Sequence, residues 1–135
     1  MRRTLLIAAI AANATMLSGC TTIYSVVEGN FDSPSTALND YPVHIVAVDG
    51  GFQNSHDARI EAGVHTLILQ SRKPTIFRVR EQKAVGFKAE PCTRYYLAAR
   101  HQTRLTEQWE LVIRRQEPIG GCDLIQAQAA AVNVN

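Results

Sequence analysis

The chain of 135 residues lacks an apolar run long enough to cross a membrane, and it contains few cysteines. Its N-terminal apolar stretch, Leu5–Ala12, is well short of the roughly 20 residues that a spanning helix needs, and the polar residues Asn13 and Thr15 come directly after it. None of the three cysteines forms a Cys-x-x-Cys pair. Their spacing therefore argues against both a zinc site and a dithiol redox motif.

A strong charge of one sign is also lacking. The formal net charge is +2, and removal of Arg2 and Arg3 with the N-terminal segment reduces the 14 basic residues to 12, which equals the number of acidic residues. Nucleic-acid binding normally requires clustered lysine and arginine. We therefore expect no nucleic-acid partner.

Reactive side chains are present but scattered. Ser55-His56-Asp57 has the residue types of a hydrolase triad, but consecutive residues cannot converge as triad members must. The histidines occur singly, with no His-x-His pair or neighbouring carboxylate cluster that would suit zinc. They are His44, His56, His65 and His101. We expect no catalytic residues, no metal and no cofactor.

The N-terminus has the order of a secretory signal, with Arg2 and Arg3 before the apolar stretch and small residues at its end. The closing tetrapeptide Leu17-Ser18-Gly19-Cys20 resembles the lipobox of bacterial lipoproteins. This resemblance implies that residues 1–19 are removed and that Cys20 carries lipid, since two or more acyl chains anchor a protein stably. Thr21 is not the aspartate associated with inner-membrane retention, which implies the periplasmic face of the outer membrane. A plain signal with an incidental cysteine is the alternative.

Two cysteines remain once Cys20 is lipidated. Cys92 and Cys122 form an even pair in a compartment that maintains disulfides. A structural disulfide is therefore predicted, with two buried thiols as the alternative.

Short apolar runs separated by turn signals predict a mainly β domain over residues 42–122, a small antiparallel β-sandwich. Residues 20–41 are predicted as the lipidated N-terminus and a flexible tether. Thr22–Val27 is a short β-prone run, and Glu28–Tyr41 is rich in Asn, Asp, Ser and Pro. Residues 123–135 are predicted as a tail, and Phe52–Asp57 as a loop after the turn Asp49-Gly50-Gly51. The predicted strands are Val43–Val48, Ala58–Ile60, Val64–Gln70, Ile76–Arg80, Val85–Ala89, Thr93–Gln102 and Trp109–Gln116.

The last two strands predict a hairpin with one apolar face. If Cys92 lies opposite Cys122, then Tyr95, Leu97 and Ala99 share a face with Leu111, Ile113 and Ile119.

The opposite face of this hairpin carries the candidate binding residues. They are Arg94, Tyr96, Arg100 and Arg114, with Arg78 and Arg80 as possible neighbours. In this register Arg100 faces Arg114 and Arg104 faces Glu110. Arginine binds carboxylate and phosphate groups bidentately, so this face could bind an anionic glycan, a lipid headgroup or an acidic partner. A solvated face with cross-strand ion pairs is the alternative.

Two segments resemble small PEGA-like β-sandwich modules of bacterial lipoproteins. Ile60-Glu61-Ala62-Gly63-Val64-His65-Thr66-Leu67 resembles their strand, tight turn and strand, and Cys92-Thr93-Arg94-Tyr95-Tyr96-Leu97 resembles a later strand with a Tyr-Tyr pair. The resemblance covers Val43 to Ile113 and implies a non-catalytic module.

The sequence thus predicts a membrane-anchored structural or interaction module of the cell envelope, with an envelope protein as a possible partner. The alternative is a periplasmic binder or inhibitor that uses the arginine face. A small hydrolase is the third class.

Overall fold

The computed structural model describes residues 23–30, 38–76 and 79–122, and within them nine β-strands form two sheets. This architecture confirms the predicted fold class, a mainly β chain with two packed sheets. The strands are β1 Tyr24–Glu28, β2 Asp40–Tyr41, β3 Val43–Val48, β4 Gly51–Ser55, β5 Asp57–Glu61, β6 Gly63–Ser71, β7 Gln82–Ala89, β8 Thr93–His101 and β9 Trp109–Pro118.

Strand β8 is the centre of the first sheet. Along one edge it pairs with β9 over its whole length, and its other edge is shared by β1 and β2. Strand β1 runs parallel to β8 and pairs with β5 on its far side. The second sheet has the order β4-β3-β6-β7, and all its pairings are antiparallel.

Alternating side chains of the two sheets meet in one core. Such alternation buries one face of each strand, and each fully buried leucine or isoleucine contributes about 1.5–3 kcal/mol. The core consists of Val27, Val43, Ile45, Ala58, Ile60, Leu67, Leu69, Phe87, Ala89, Tyr95, Leu97, Ala99 and Trp109. Trp109, the first residue of β9, therefore packs in the core.

The predicted extent of the tether, residues 20–41, is wrong. Asp40–Tyr41 form β2. Residues 24–28, most of which lie in the β-prone run, form β1, which lies between β5 and β8 with Val26 and Val27 buried. The folded domain therefore begins well before residue 42. The signal segment with Cys20, residues 31–37 of the predicted tether and the tail 123–135 lie outside the described residues.

Two further strand predictions are corrected. Residues 51–55 form the edge strand β4 rather than a loop, paired with β3 across the turn Asp49-Gly50. Its side chains face solvent almost throughout, so no apolar alternation marks it. Conversely, the described residues near the predicted strand Ile76–Arg80 form no strand, and Ile76 and Val79 are exposed.

The predicted disulfide is present, but the hairpin register differs from the prediction. The sulfur atoms of Cys92 and Cys122 are bonded, with their Cα atoms 5.4 Å apart. Arg100 faces Glu110 rather than Arg114, and Arg104 lies beyond the ladder. Two features cause the shift: residues 119–122 form a turn outside the ladder, and a bulge inserts Arg114 between the partners of Tyr96 and Leu97.

No helix in the described part of the chain is long and apolar enough to span a membrane.

Candidate functional site

The predicted arginine face is paired with carboxylates of the domain itself. The Arg94 guanidinium lies 3.0 Å from Glu28 Oε2. Arg100 donates from Nε and Nη2 to the two carboxylate oxygens of Asp40, at 2.7 and 3.0 Å. The Asp40 side chain is only 2% exposed, so this bidentate ion pair forms part of the folded sheet rather than a vacant anion site.

The other members of that face have internal partners too. Tyr96 Oη donates to Glu117 Oε1 at 2.6 Å, and the Arg115 guanidinium lies 4.2 Å from the Tyr96 ring centroid. Arg115, the cross-strand partner of Tyr96, therefore stacks on this tyrosine. Arg78 lies outside the described residues. An anionic ligand on this face would have to compete with three carboxylates already in place.

The Ser55-His56-Asp57 segment is a polar turn between β4 and β5. Ser55 Oγ and Asp57 Oδ1 are 3.2 Å apart, and the Asp57 amide donates to Ser55 Oγ. His56 instead lies edge-on to His44, with ring centroids 5.3 Å apart. A triad requires the serine to hydrogen-bond to the histidine, and these three residues are not arranged in that way.

The structure does bring together another serine and histidine that the sequence analysis missed. Ser71 at the end of β6 and His101 at the end of β8 are hydrogen-bonded, with Oγ 2.8 Å from Nε2. His101 Nδ1 lies 2.8 Å from the Thr106 carbonyl oxygen and therefore donates to it, which leaves Nε2 to accept from Ser71. The alternation of the strands could have indicated this pair. Ser71 and His101 come two residues after the inward-facing Leu69 and Ala99, so their side chains also point inward.

Burial indicates a structural role for this pair. The residues are 6% and 2% exposed, and the Ser71 oxygen also accepts from the Lys73 amide. A catalytic serine needs room for a substrate carbonyl beside it and donors for the developing oxyanion. Here the hydroxyl joins the ends of β6 and β8, which belong to different sheets.

Loops at this end of the sandwich converge around His101. We call this end the loop pole and define it as residues 38–39, 72–76, 79–81 and 102–108. Lys73 Nζ donates to Glu107 Oε1 at 2.7 Å, and Thr75 Oγ1 donates to the same oxygen at 3.3 Å. The lysine hydrogen bond is the largest cause of the lowered pKa of Glu107. The Asn39 carbonyl accepts from the His101 amide, so the segment before β2 joins the same cluster.

An open cavity of about 620 Å³ lies between β2, β8, β9 and the start of β7. Its size is within the range of small-ligand sites, about 300–1,000 Å³. The lining residues are Leu38, Asn39, Asp40, Glu81, Lys83, Arg100, His101, Gln102, Gln108, Trp109 and Glu110. Acidic side chains outnumber basic ones, and Arg100 is engaged with Asp40. The lining is therefore ill-suited to an anionic ligand.

Large apolar side chains project from the loops around this cavity. Leu38, Ile76, Val79 and Leu105 are 74%, 95%, 85% and 92% exposed. Single exposed apolar residues are common on protein surfaces, but these four lie on three segments that the contacts above join. An exposed apolar surface rimmed by polar residues is typical of interaction sites.

A separate ion pair lies at the opposite end of the sandwich. His65 Nδ1 is 2.6 Å from Asp49 Oδ2, and His65 Nε2 is 2.8 Å from the Glu61 carbonyl oxygen. Among the described residues, no group of three or more His, Cys, Asp and Glu side chains is placed to hold a metal ion.

Comparisons with protein-family models, with curated proteins and with solved structures find no match for this chain.

Proposed function

We propose that this protein is a non-catalytic interaction module of the cell envelope, anchored by lipid on Cys20 at the periplasmic face of the outer membrane. Its contact surface is the loop pole, and its partner is another envelope protein. The observation that carries the proposal is the projection of four exposed apolar side chains from loops gathered at one end of the sandwich. Loops displayed at the end of a rigid β scaffold are common binding elements.

Internal contacts prepare the loop pole for binding. The Lys73–Glu107 ion pair joins the β6–β7 and β8–β9 loops, and the Lys73 side chain is 5% exposed. His101 fixes the β8–β9 loop through its hydrogen bond to Thr106. Loops held in place before binding lose less conformational entropy when a partner docks.

The state of the reactive groups supports a non-catalytic role. Ser71 and His101 are buried, and Ser55, His56 and Asp57 form a turn. The arginines that could bind an anionic glycan engage Glu28 and Asp40. These contacts favour a protein-contact module over the binder that uses the arginine face.

The proposal is tested by comparing two tagged variants in intact cells. One carries Ile76→Ser, Val79→Ser and Leu105→Ser at the loop pole. The other carries Phe52→Ser and Val64→Ser, which are exposed apolar positions away from that pole. After chemical crosslinking and mass spectrometry, an envelope protein captured by the wild type should be lost from the first variant and retained by the second. Both should unfold near the wild-type temperature, since exposed substitutions usually change stability by less than about 0.5 kcal/mol.

Two results would contradict the proposal. Equal capture by wild type and both variants would remove the loop pole from the interaction. Covalent labelling of Ser71 by a fluorophosphonate probe would reveal an activated serine and favour a hydrolase instead.

A further inference from the structure

The first strand begins very close to the proposed lipid anchor. Only Thr21, Thr22 and Ile23 separate Cys20 from Tyr24, the first residue of β1. Four Cα–Cα steps span at most about 14 Å even when the chain is fully extended. Wherever Cys20 is held at a membrane surface, Tyr24 must lie within that distance of it.

The start of β1 is fixed within the fold. Tyr24 pairs with Glu61 of β5, and its carbonyl oxygen lies 3.9 Å from Cys122 Sγ. The next residue, Ser25, is fully buried and its hydroxyl donates to the Glu90 carbonyl while accepting from the Thr93 amide. We call this end of the sandwich the disulfide pole and define it as residues 24–25, 61–63, 89–93 and 119–122.

The loop pole and the disulfide pole lie at opposite ends of the strands. Strand β1 runs parallel to β8, so both begin at the disulfide pole. Strand β8 contains 9 residues and ends at His101, next to the loop pole. At about 3.3 Å per residue, the two poles are roughly 30 Å apart.

We infer that the disulfide pole lies against the bilayer that holds the anchor and that the loop pole points away from the membrane. This inference rests on the proposed lipidation of Cys20. The short connection keeps Tyr24, and with it the disulfide pole, within about 14 Å of the anchored residue, whereas the loop pole lies roughly 30 Å further along the strands. The membrane thus occupies one end of the sandwich and leaves the other end open to a partner.

Chain length rather than charge keeps the disulfide pole at the membrane. The exposed charged side chains at and beside the disulfide pole are of both signs, Arg59 and Lys88 against Glu61 and Glu90. A polybasic surface would instead be drawn to anionic lipid, with an attraction that salt screens. The orientation should therefore be insensitive to ionic strength.

Tryptophan quenching by brominated lipid tests the orientation in the lipidated, full-length mature protein. Ala62→Trp adds an indole at the disulfide pole, next to the Tyr24 partner Glu61, and Leu105→Trp adds one at the loop pole. Both positions are exposed, and the single native tryptophan, Trp109, gives the same background in each variant. The proteins are reconstituted in vesicles of phosphatidylethanolamine and phosphatidylglycerol, with and without brominated acyl chains.

The emission added by Ala62→Trp should be lost in brominated vesicles, whereas that added by Leu105→Trp should persist, at low and at high salt. A flexible Gly-Ser insertion of about ten residues after Thr22 adds roughly 15–20 Å of reach. Combined with Ala62→Trp, this insertion should restore the added emission while the protein still floats with the vesicles.

The outcomes separate the orientation from the anchor. Failure of the wild type to float with vesicles would overturn the lipid anchor and the orientation together. Flotation with equal quenching of both variants, or of Leu105→Trp alone, would overturn the orientation and leave the anchor in place. Quenching of Ala62→Trp that persists after the insertion would overturn the role of the short connection.

Discussion

Gly29 has a role that no pattern around it in the sequence indicates. It follows β1, donates its amide to the His56 carbonyl at 2.7 Å and accepts from the Val43 amide at 2.9 Å. A Cβ atom at this position would overlap the Val43 carbonyl oxygen and lie 2.7 Å from the Val43 Cγ2. The absence of a side chain therefore lets the end of β1 approach the start of β3, in the other sheet.

Replacement of Gly29 by alanine should destabilise the domain. Relief of the backbone overlap requires a shift of β1 or β3, for which overpacking costs of about 1–3 kcal/mol are typical. The matched control is Gly86→Ala in β7, where an added Cβ meets no atom within 4 Å. Alanine there should be neutral or stabilising by about 0.5 kcal/mol, because glycine weakens a strand. Urea midpoints measure both changes, and equal midpoints would contradict the close approach at Gly29.

The His65–Asp49 contact depends on pH because both histidine nitrogens face oxygen acceptors. Nε2 donates to the Glu61 carbonyl, so Nδ1 can donate to the Asp49 carboxylate only when the ring is protonated. The hydrogen bond to Asp49 accordingly raises the pKa of His65 above its ordinary value of 6.5. The same hydrogen bond, together with that from the Thr66 amide, lowers the pKa of Asp49 below 3.8.

Asp49→Asn should remove this pH dependence while keeping the turn. Asp49 has a φ of 48° in the turn before β4, a conformation that asparagine accepts readily. The raised His65 pKa contributes stability in full below pH 6.5 and loses it as pH rises through the folded-state value. The lowered Asp49 pKa contributes above pH 3.8 and is lost as pH falls through its folded-state value. The difference in melting temperature between wild type and Asp49→Asn should therefore be largest between these limits.

A double variant provides the control for this pH effect. In a His65→Gln background, Asp49→Asn should produce a difference in melting temperature that no longer changes as pH rises above 6.5, while the Thr66 hydrogen bond retains a change below pH 3.8. A difference that stays constant from acidic to alkaline pH in the wild-type background would contradict the ion pair. Titration of the His65 ring by NMR should show its pKa fall when Asp49 is replaced.

Among the strands, those with regular inward apolar residues could be predicted from sequence. Val43 and Ile45 in β3 and Leu67 and Leu69 in β6 alternate with less buried positions, and both strands lie where that pattern placed them. Strand β4 could not be found in this way, because an edge strand exposed on both faces has no apolar alternation. Its partner is selected instead by the turn Asp49-Gly50, whose residues both have positive φ.

The misassigned tether explains why the arginine face looked like a candidate binding site. Glu28 and Asp40, which pair with Arg94 and Arg100, both lie in the segment predicted as a flexible tether. When that segment is left out of the predicted domain, the carboxylates that pair with Arg94 and Arg100 are left out too, and both arginines look available for a ligand. The turn at residues 119–122 and the bulge at Arg114 had a similar effect, since together they set Glu110 rather than Arg114 opposite Arg100. Sequence alone does not reveal where one strand of a pair gains an extra residue, because side chains alternate regularly between the two faces on each side of the bulge.

Across the whole molecule, the disulfide closes the open end of the last hairpin, beside the start of the first strand. Cys92 precedes β8, Cys122 follows β9, and the Cys122 sulfur lies beside the Tyr24 carbonyl. The β8–β9 pair is also the hairpin that carries the loop pole at its other end. A crosslink at one pole therefore fixes the open end of the hairpin whose tip presents the proposed contact surface.

Removal of this disulfide should destabilise the domain by an amount that depends on the residue placed at 92. Cys92 and Cys122 are separated by 30 residues, and closing such a loop contributes about 3–4 kcal/mol on the chain-entropy model. This is a large share of the roughly 5–15 kcal/mol typical of a folded domain. Cys92→Ala with Cys122→Ala should lower the urea midpoint accordingly and leave a β-type circular dichroism spectrum at low temperature. Cys92 also has a φ of 56°, a conformation that costs a residue with a side chain about 1–2 kcal/mol.

Cys92→Gly with Cys122→Ala provides the matched comparison, because it removes the same crosslink and also that backbone cost. After allowance for the greater freedom of glycine in the unfolded chain, this variant should be more stable than the alanine pair by roughly 0.5–1 kcal/mol. Reduction of the wild type should lower its midpoint towards that of the alanine pair, and reduction of either double variant should change nothing. A wild-type midpoint that reductant leaves unchanged, or two alkylatable thiols in the native protein, would contradict the crosslink. Equal stability of the glycine and alanine variants would contradict only the cost assigned to the backbone at residue 92.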